Sequence, residues 1–192
     1  MTSPGTRARS FPFFSFAGSA LGADSRTAAS EGIAAAQLLV SSGTIVTLKG
    51  QTVSRQEFDA APDKVVWHGP IAVLISPSTS GAAEIVAAAV GDNHRGDLVG
   101  ERTFGAASEQ KVIPLEDGAA LVLTVAYYYT PENKSILENG VVPTAEVAIT
   151  PPELGGEDLA PAPLGFNQLP SKDDPIVHRA LDILKNDTRK AA

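Results

Sequence analysis

Four hydroxyl side chains crowd a short turn that leads into an apolar helix: Ser76, Ser78, Thr79 and Ser80. The run before the turn, residues 71–75, is apolar throughout and has the length of a buried strand. From Ala82 onward the apolar residues recur at helical spacing. Because α/β proteins place nucleophiles and oxyanion donors where a strand turns into a helix N-terminus, this stretch is the candidate site.

Three blocks of the chain resemble one protein family. Residues 78–115 read STSGAAEIVAAAVGDNHRGDLVGERTFGAASEQKVIPL, residues 117–147 read DGAALVLTVAYYYTPENKSILENGVVPTAEV, and residues 173–184 read DDPIVHRALDIL. The first block is similar to the S-x-x-E and T-F-G-K-G-x-x-Q motifs of the tail-specific, or C-terminal processing, serine peptidases of family S41. The second is similar to their Y-x-T-P motif, and the third to their closing helix. The resemblance spans residues 31–185. It implies an α/β fold, the ClpP/crotonase-like S41 peptidase core, incomplete at its N-terminus.

The resemblance implies a Ser–Lys catalytic dyad, and this chain differs at both positions. The serine position, three residues before Glu84, is Gly81, and the lysine position after the F-G pair is Ala106. The interval between them is the one that the family uses. Gln110 matches the glutamine that orients the lysine, and the backbone N–H of Ala82 matches one oxyanion donor. Since a serine hydroxyl needs an adjacent base, a glycine and an alanine at these positions predict an inactive site.

Two other residues are candidate replacements for the dyad. Ser80 is the alternative nucleophile, but it lies one residue from the serine position, so its side chain points away from the Ala82 N–H. Turns also favour serine because its hydroxyl bonds to nearby backbone groups. Lys111 is the alternative base, but it follows Gln110 directly, and adjacent strand residues point to opposite faces. We favour the structural interpretation of both residues.

The S-x-x-E spacing also has a structural use. A residue at the N-cap and a glutamate three residues later form a capping box, which Glu84 can still complete. Glycine is an acceptable N-cap, so the helix is expected to persist with Gly81 at that position. The fold is therefore predicted to outlast the dyad.

Composition narrows the classes of partner and cofactor. The chain has 192 residues, a formal net charge of −7 and no basic cluster, which argues against nucleic acid and anionic membrane surfaces. It has no cysteine, so disulfides and thiolate metal sites are excluded. Neither the histidines nor the Asp/Asn residues near the centre have the spacing of a zinc or calcium site: His68, His94, His178, Asp92, Asn93 and Asp97. We predict no metal and no cofactor, and extended polypeptides or protein C-termini as partners.

Residues 1–30 do not match the family. Arg7 and Arg9 precede a short apolar run at residues 11–21, and small residues follow it, a weak secretory signal pattern. A disordered or misread N-terminus is the interpretation we favour. Family members carry D-L-R-x-N-x-G-G before the segment that starts here at Glu31, and a truncated or frame-shifted gene start would explain its replacement. The family implies a periplasmic or secreted location, although a cytoplasmic one stays open.

The remaining segments are predicted from periodicity and turn signals. The predicted organisation is a core at 31–150, a Pro/Gly-rich linker at 151–172 and a final helix at 173–188. Predicted elements are a helix at 31–40 capped by Ser30, a strand at 44–48, a β excursion within 52–66 closed by Pro62, strands at 111–115 and 119–129 joined as a hairpin, an edge strand at 147–149, and a helix from Asp174 and Pro175 to residue 186.

Three functions are compatible with this pattern. The first is a catalytically inactive S41-type domain that acts by binding peptides through main-chain pairing, or by assembly. The second is a serine peptidase of the family with a rearranged site, or a fragment of one. The third is a decayed gene product without a function. Fold resemblance does not choose among them, because function resides in the site rather than in the scaffold. We favour the first, because two independent catalytic positions are lost together while their surroundings remain.

Overall fold

The computed structural model of the protein describes residues 14–15, 25–148 and 174–190. Its elements in chain order are β1 (Phe14–Ser15), α1 (Ser25–Gln37), β2 (Thr44–Gly50), β3 (Gln56–Asp59), a 3-10 turn (Pro62–Lys64), β4 (Ala72–Ile75), α2 (Ala82–Asp92), β5 (Asp97–Gly100), β6 (Ser108–Pro114), β7 (Ala120–Tyr129), β8 (Ala145–Glu146) and α3 (Pro175–Lys190). No helix within these ranges is long and apolar enough to cross a membrane.

The strands form two four-stranded sheets of different type. The first has the order β1-β4-β5-β8, and every neighbouring pair in it is parallel. The second has the order β3-β2-β7-β6, and every neighbouring pair in it is antiparallel. Parallel strands need crossover connections, and α2 provides the one between β4 and β5.

Helix α2 lies at the centre of the domain. All of its residues from Ala83 to Val90 are buried, because α1, β2, β4 and β5 surround it. A helix that is apolar on every side must be covered on every side, and its short alanine side chains allow close approach. This packing fixes the helix N-terminus, where the candidate site lies.

Helix α3 covers the other face of the parallel sheet. Ile176, Ala180 and Leu184 recur every four residues and pack against Ala72 and Val99. The helix starts where the sequence predicts, with Pro175 in its first turn and the Asp174 carboxylate accepting the Ile176 N–H at 2.8 Å. The predicted final helix is therefore confirmed, and it continues to Lys190 rather than ending at 186.

The start of the first helix was predicted wrongly. Helix α1 begins at Ser25 instead of residue 31, so Ser30 is an exposed residue inside the helix and not its N-cap. Ala28 and Ala29 carry the helix further toward the N-terminus, because alanine is the strongest helix former. The predicted boundary between residues 30 and 31 thus falls inside α1, and Phe14 and Ser15 pair with β4.

The antiparallel sheet matches the predictions more closely. The strand at 44–48, the β excursion before Pro62 and the hairpin are all confirmed, as β2, β3 and β6–β7. β6 begins three residues earlier than predicted, because Ser108 and Glu109 already pair with β7. The edge strand is wrong in position, since β8 pairs with β5 at Ala145 and Glu146. The predicted linker lies outside the described residues.

Candidate functional site

The turn after β4 is held by its own hydroxyl groups. The Thr79 N–H donates to the Ser76 carbonyl at 2.9 Å, and the Thr79 hydroxyl accepts the Ser76 N–H at 3.1 Å. The Ser76 and Ser78 hydroxyls bond to each other at 2.7 Å. The hydroxyls of Ser76, Ser78 and Thr79 therefore have structural partners, as serine and threonine commonly do in turns.

Gly81 has a backbone conformation that favours glycine. It is the N-cap of α2 with φ 62° and ψ −120°, a region that residues with a Cβ adopt only under strain. A Cβ added at Gly81 would meet no heavy atom within 4 Å, so the space in front of this residue is open. The position thus combines a tight turn of the backbone with room for a ligand.

Glu84 joins this turn to a second loop. It is fully buried, and its carboxylate accepts four hydrogen bonds. The donors are the Gly81 N–H at 2.9 Å, the Thr103 hydroxyl at 2.5 Å, the Gly105 N–H at 2.6 Å and the Ala106 N–H at 2.8 Å. The bond from Gly81 completes the predicted capping interaction, and the other three tie the loop at 103–106 to the start of α2.

The structure therefore brings Gly81 and Ala106 together, although 24 residues separate them in the chain. Both backbone N–H groups donate to the same Oε2 atom of Glu84. This shared acceptor holds the two nitrogens close together. The side chains at the two positions are a hydrogen atom and a methyl group. Neither can act as a nucleophile or as a base.

A third segment supports the loop from behind. The Thr103 hydroxyl accepts the Val141 N–H at 2.8 Å while it donates to Glu84, and the Thr103 N–H donates to the Val141 carbonyl at 3.1 Å. The Glu138 N–H donates to the Gly105 carbonyl at 2.9 Å. Because buried hydrogen bonds to a carboxylate are strong, this network makes the site rigid.

Phe104 is presented to solvent by this network. Its N–H donates to the Thr79 carbonyl at 2.9 Å, which fixes its backbone, yet the residue is 69% exposed. Nearby, the Ala82 N–H belongs to the first turn of α2, where amides lack an intrahelical partner. Among residues 25–148 and 174–190, no group accepts a hydrogen bond from it.

The other sequence candidates lie at different distances from this centre. Ser80 is next to Gly81 and is half-buried. Gln110 and Lys111 both lie on β6, opposite Thr124 and Leu123 respectively, so they occupy opposite faces of the hairpin as expected. Both are exposed. No cluster of three metal-ligating side chains occurs in the part of the chain that the structure describes.

Sequence reasoning missed two contributors to the site. Thr103 and Phe104 belong to the T-F-G motif, which in the sequence serves only to mark the lysine position. The role of Thr103 depends on a hydrogen bond to Val141, which lies in a segment far along the chain. A threonine between an apolar strand and a glycine is the only signal that the sequence carries for it.

Comparison with known proteins places this arrangement in a family. Residues 28–147, more than half of the chain, match the family model for peptidase family S41. The chain belongs to this family. The α/β S41 core that the sequence predicts is therefore confirmed.

Several S41 relatives are processing proteases by name. The carboxyl-terminal-processing protease of Picosynechococcus sp. is 36% identical over 159 residues, which cover 81% of this chain and 34% of the relative. The carboxy-terminal-processing protease of Bartonella bacilliformis is 36% identical over 124 residues, 64% of this chain and 29% of the relative. This S41 chain thus spans about a third of the length of the curated relatives it matches.

The S41 fold is also found among solved structures. A photosystem II D1 C-terminal processing protease superposes with a TM-score of 0.56 at 34% identity, over 60% of this chain and 30% of that one.

Proposed function

We propose that this S41 domain is catalytically inactive and binds an extended polypeptide segment at the N-terminus of α2. The observation that carries the proposal is the frame around Glu84, which holds Gly81 beside Ala106. Resemblance to the family assigns the nucleophilic serine to the first position and the general-base lysine to the second. Covalent catalysis needs both groups, and here the frame is present while both are absent.

Three features of the site support binding. The space in front of Gly81 is open, Phe104 offers an exposed aromatic side chain on a backbone fixed by a hydrogen bond, and the Ala82 N–H is an available main-chain donor. Aromatic anchors on a fixed backbone are frequent centres of binding energy, and a main-chain donor suits a peptide carbonyl or carboxylate. The relatives are named for processing protein carboxyl termini, so a polypeptide chain is the ligand class we propose. An extracytoplasmic location, implied by the resemblance, stays a prediction.

Absence of covalent chemistry is the first expected result. A serine-reactive fluorophosphonate should not label the protein, and a peptide with an apolar C-terminus should not be cleaved, with an active S41 peptidase assayed alongside as the positive control. The competing hypothesis is a rearranged peptidase with Ser80 as nucleophile. Labelling that disappears in Ser80→Ala would establish that hypothesis and overturn ours.

Binding should depend on Phe104. Fluorescence anisotropy with a fluorophore-labelled peptide that has an apolar C-terminus is expected to show saturable binding. Phe104→Ala should weaken this binding about tenfold, because truncating an aromatic anchor removes much of its contact energy. Val66→Ala is the matched control. Val66 lies beyond the 3-10 turn, and this apolar residue is 70% exposed, compared with 69% for Phe104. Equal affinities for the wild type and the Phe104 variant would refute the placement of the ligand.

A further inference from the structure

The β6–β7 hairpin projects beyond the cover of the rest of the domain. Every residue from Gln110 to Thr124 is exposed, on both faces of this two-stranded ribbon. Six of them are large aliphatic residues: Val112, Ile113, Leu115, Leu121, Val122 and Leu123. A two-stranded ribbon is marginally stable by itself in water, and contiguous exposed apolar surface usually marks an interaction site.

One face of the ribbon continues the covered side of the sheet. Glu109 pairs with Ala126, and both are buried. The next pair is Gln110 with Thr124, so Val125 is an extra residue on β7. Such a bulge changes which residues of β7 share a face, while β6 alternates regularly past it. The face that contains buried Glu109 therefore continues through every second residue of β6.

Four aliphatic side chains occupy that face, and we call them the apolar stripe: Ile113, Leu115, Leu121 and Leu123. Ile113 lies directly opposite Leu121, and Leu123 lies opposite Lys111. The Leu115 N–H donates to the Ala119 carbonyl at 2.8 Å, which extends the ladder to the turn. The stripe residues are 36–47% exposed, so an apolar surface placed on them would extend the core.

Charges stand only at the two ends of the ribbon. Between residues 110 and 131 the charged residues are Lys111 at its base and Glu116 and Asp117 at its tip. At about 3.3 Å per residue the base and the tip are about 17 Å apart. A two-fold axis through the middle of the stripe would place the base of one copy opposite the tip of another. In this arrangement the positive base of each copy faces the negative tip of the other, and the two apolar stripes face each other.

The outer edge of β6 is less suited to a partner than this face. β6 is the last strand of its sheet, and it carries Lys111 and ends at Pro114. Lysine and proline on edge strands are features that discourage the addition of a further strand. Contact through the stripe rather than extension of the sheet is thus the favoured mode.

We propose that the apolar stripe is a self-association surface, on which a second copy of this chain packs its own stripe about a two-fold axis. The stripe is small compared with the roughly 800 Å² per partner of stable complexes, so we expect a dissociation constant of about 10–100 µM. The net charge of −7 opposes association elsewhere on the surface, whereas the ribbon is nearly balanced.

Sedimentation velocity on the full chain from about 2 to 200 µM tests the proposal. The wild type should shift from monomer to dimer over this range. Leu121→Lys should weaken the dimer at least tenfold, because it places a charge within the stripe. Val122→Lys is the matched control, since it makes the same change one residue away on the opposite face, and it should leave the dimer intact.

Exchanging the charges of the base and the tip tests the orientation of the two copies, and it distinguishes a wrong orientation from a variant that has lost its fold. Lys111→Glu should weaken the dimer about three- to tenfold, and adding Glu116→Lys together with Asp117→Asn should restore it, because each copy then again presents opposite charges at base and tip. A monomer at every concentration, equal effects of Leu121→Lys and Val122→Lys, or sheet extension through β6 would each overturn the proposal.

Discussion

Replacing Glu84 by glutamine is expected to lower the free energy of unfolding by about 3–5 kcal/mol. The buried carboxylate accepts two donors on each oxygen: the Thr103 hydroxyl and Gly105 N–H on Oε1, and the Gly81 and Ala106 N–H groups on Oε2. An amide can present only one oxygen. In either orientation its NH₂ group faces two donors, and these two lose their acceptor in a buried or half-buried position.

Urea unfolding of the wild type and the variant measures this effect. Glu116→Gln is the control, because it makes the same chemical change at an exposed residue of the hairpin tip and should alter stability by no more than about 0.5 kcal/mol. Amide hydrogen exchange adds a local measurement, since the Gly105 and Ala106 N–H groups should lose protection in the Glu84 variant. A Glu84→Gln protein as stable as the wild type would show that the network does not hold the site.

Replacing Gly140 by alanine is the second large effect, with an expected loss of about 3 kcal/mol or more. Gly140 has φ +63°, and a Cβ there would lie 2.4 Å from the Thr103 carbonyl oxygen and 3.1 Å from its hydroxyl. Backbone must therefore move, and the backbone concerned is that of the residue that bonds to Glu84. The conformational strain at residue 140 and the displacement of the Thr103 backbone therefore both lower the free energy of unfolding of this variant.

Gly118→Ala separates the two contributions. Gly118 also has a positive φ, +86°, but a Cβ there would meet nothing within 4 Å. Its replacement should cost only the conformational strain, about 1–2 kcal/mol. Urea midpoints of the two variants give the comparison. Equal losses of stability would mean that the loop at 103–106 moves to accommodate the new methyl group in Gly140→Ala without loss of stability.

Local signals were enough to predict the elements on which the site is built. The apolar run before the turn, the helical spacing after Ala82 and the Asp174–Pro175 helix start each lie within a few residues of the boundary they mark. The predicted start of α1 and the predicted position of the edge strand were wrong because no local signal marks either one. An alanine-rich segment has no local stop signal, and β8 consists of two residues placed by parallel pairing with β5.

Sequence alone determined the family of this protein and the residue types at the two candidate positions, because motif spacing is written along the chain. Only the tertiary structure decided that Gly81 and Ala106 meet, since one buried carboxylate gathers donors from two loops. The same holds for the apolar stripe. A single extra residue, Val125, sets which hairpin face continues the core, and bulges depend on the register between two strands rather than on either strand by itself.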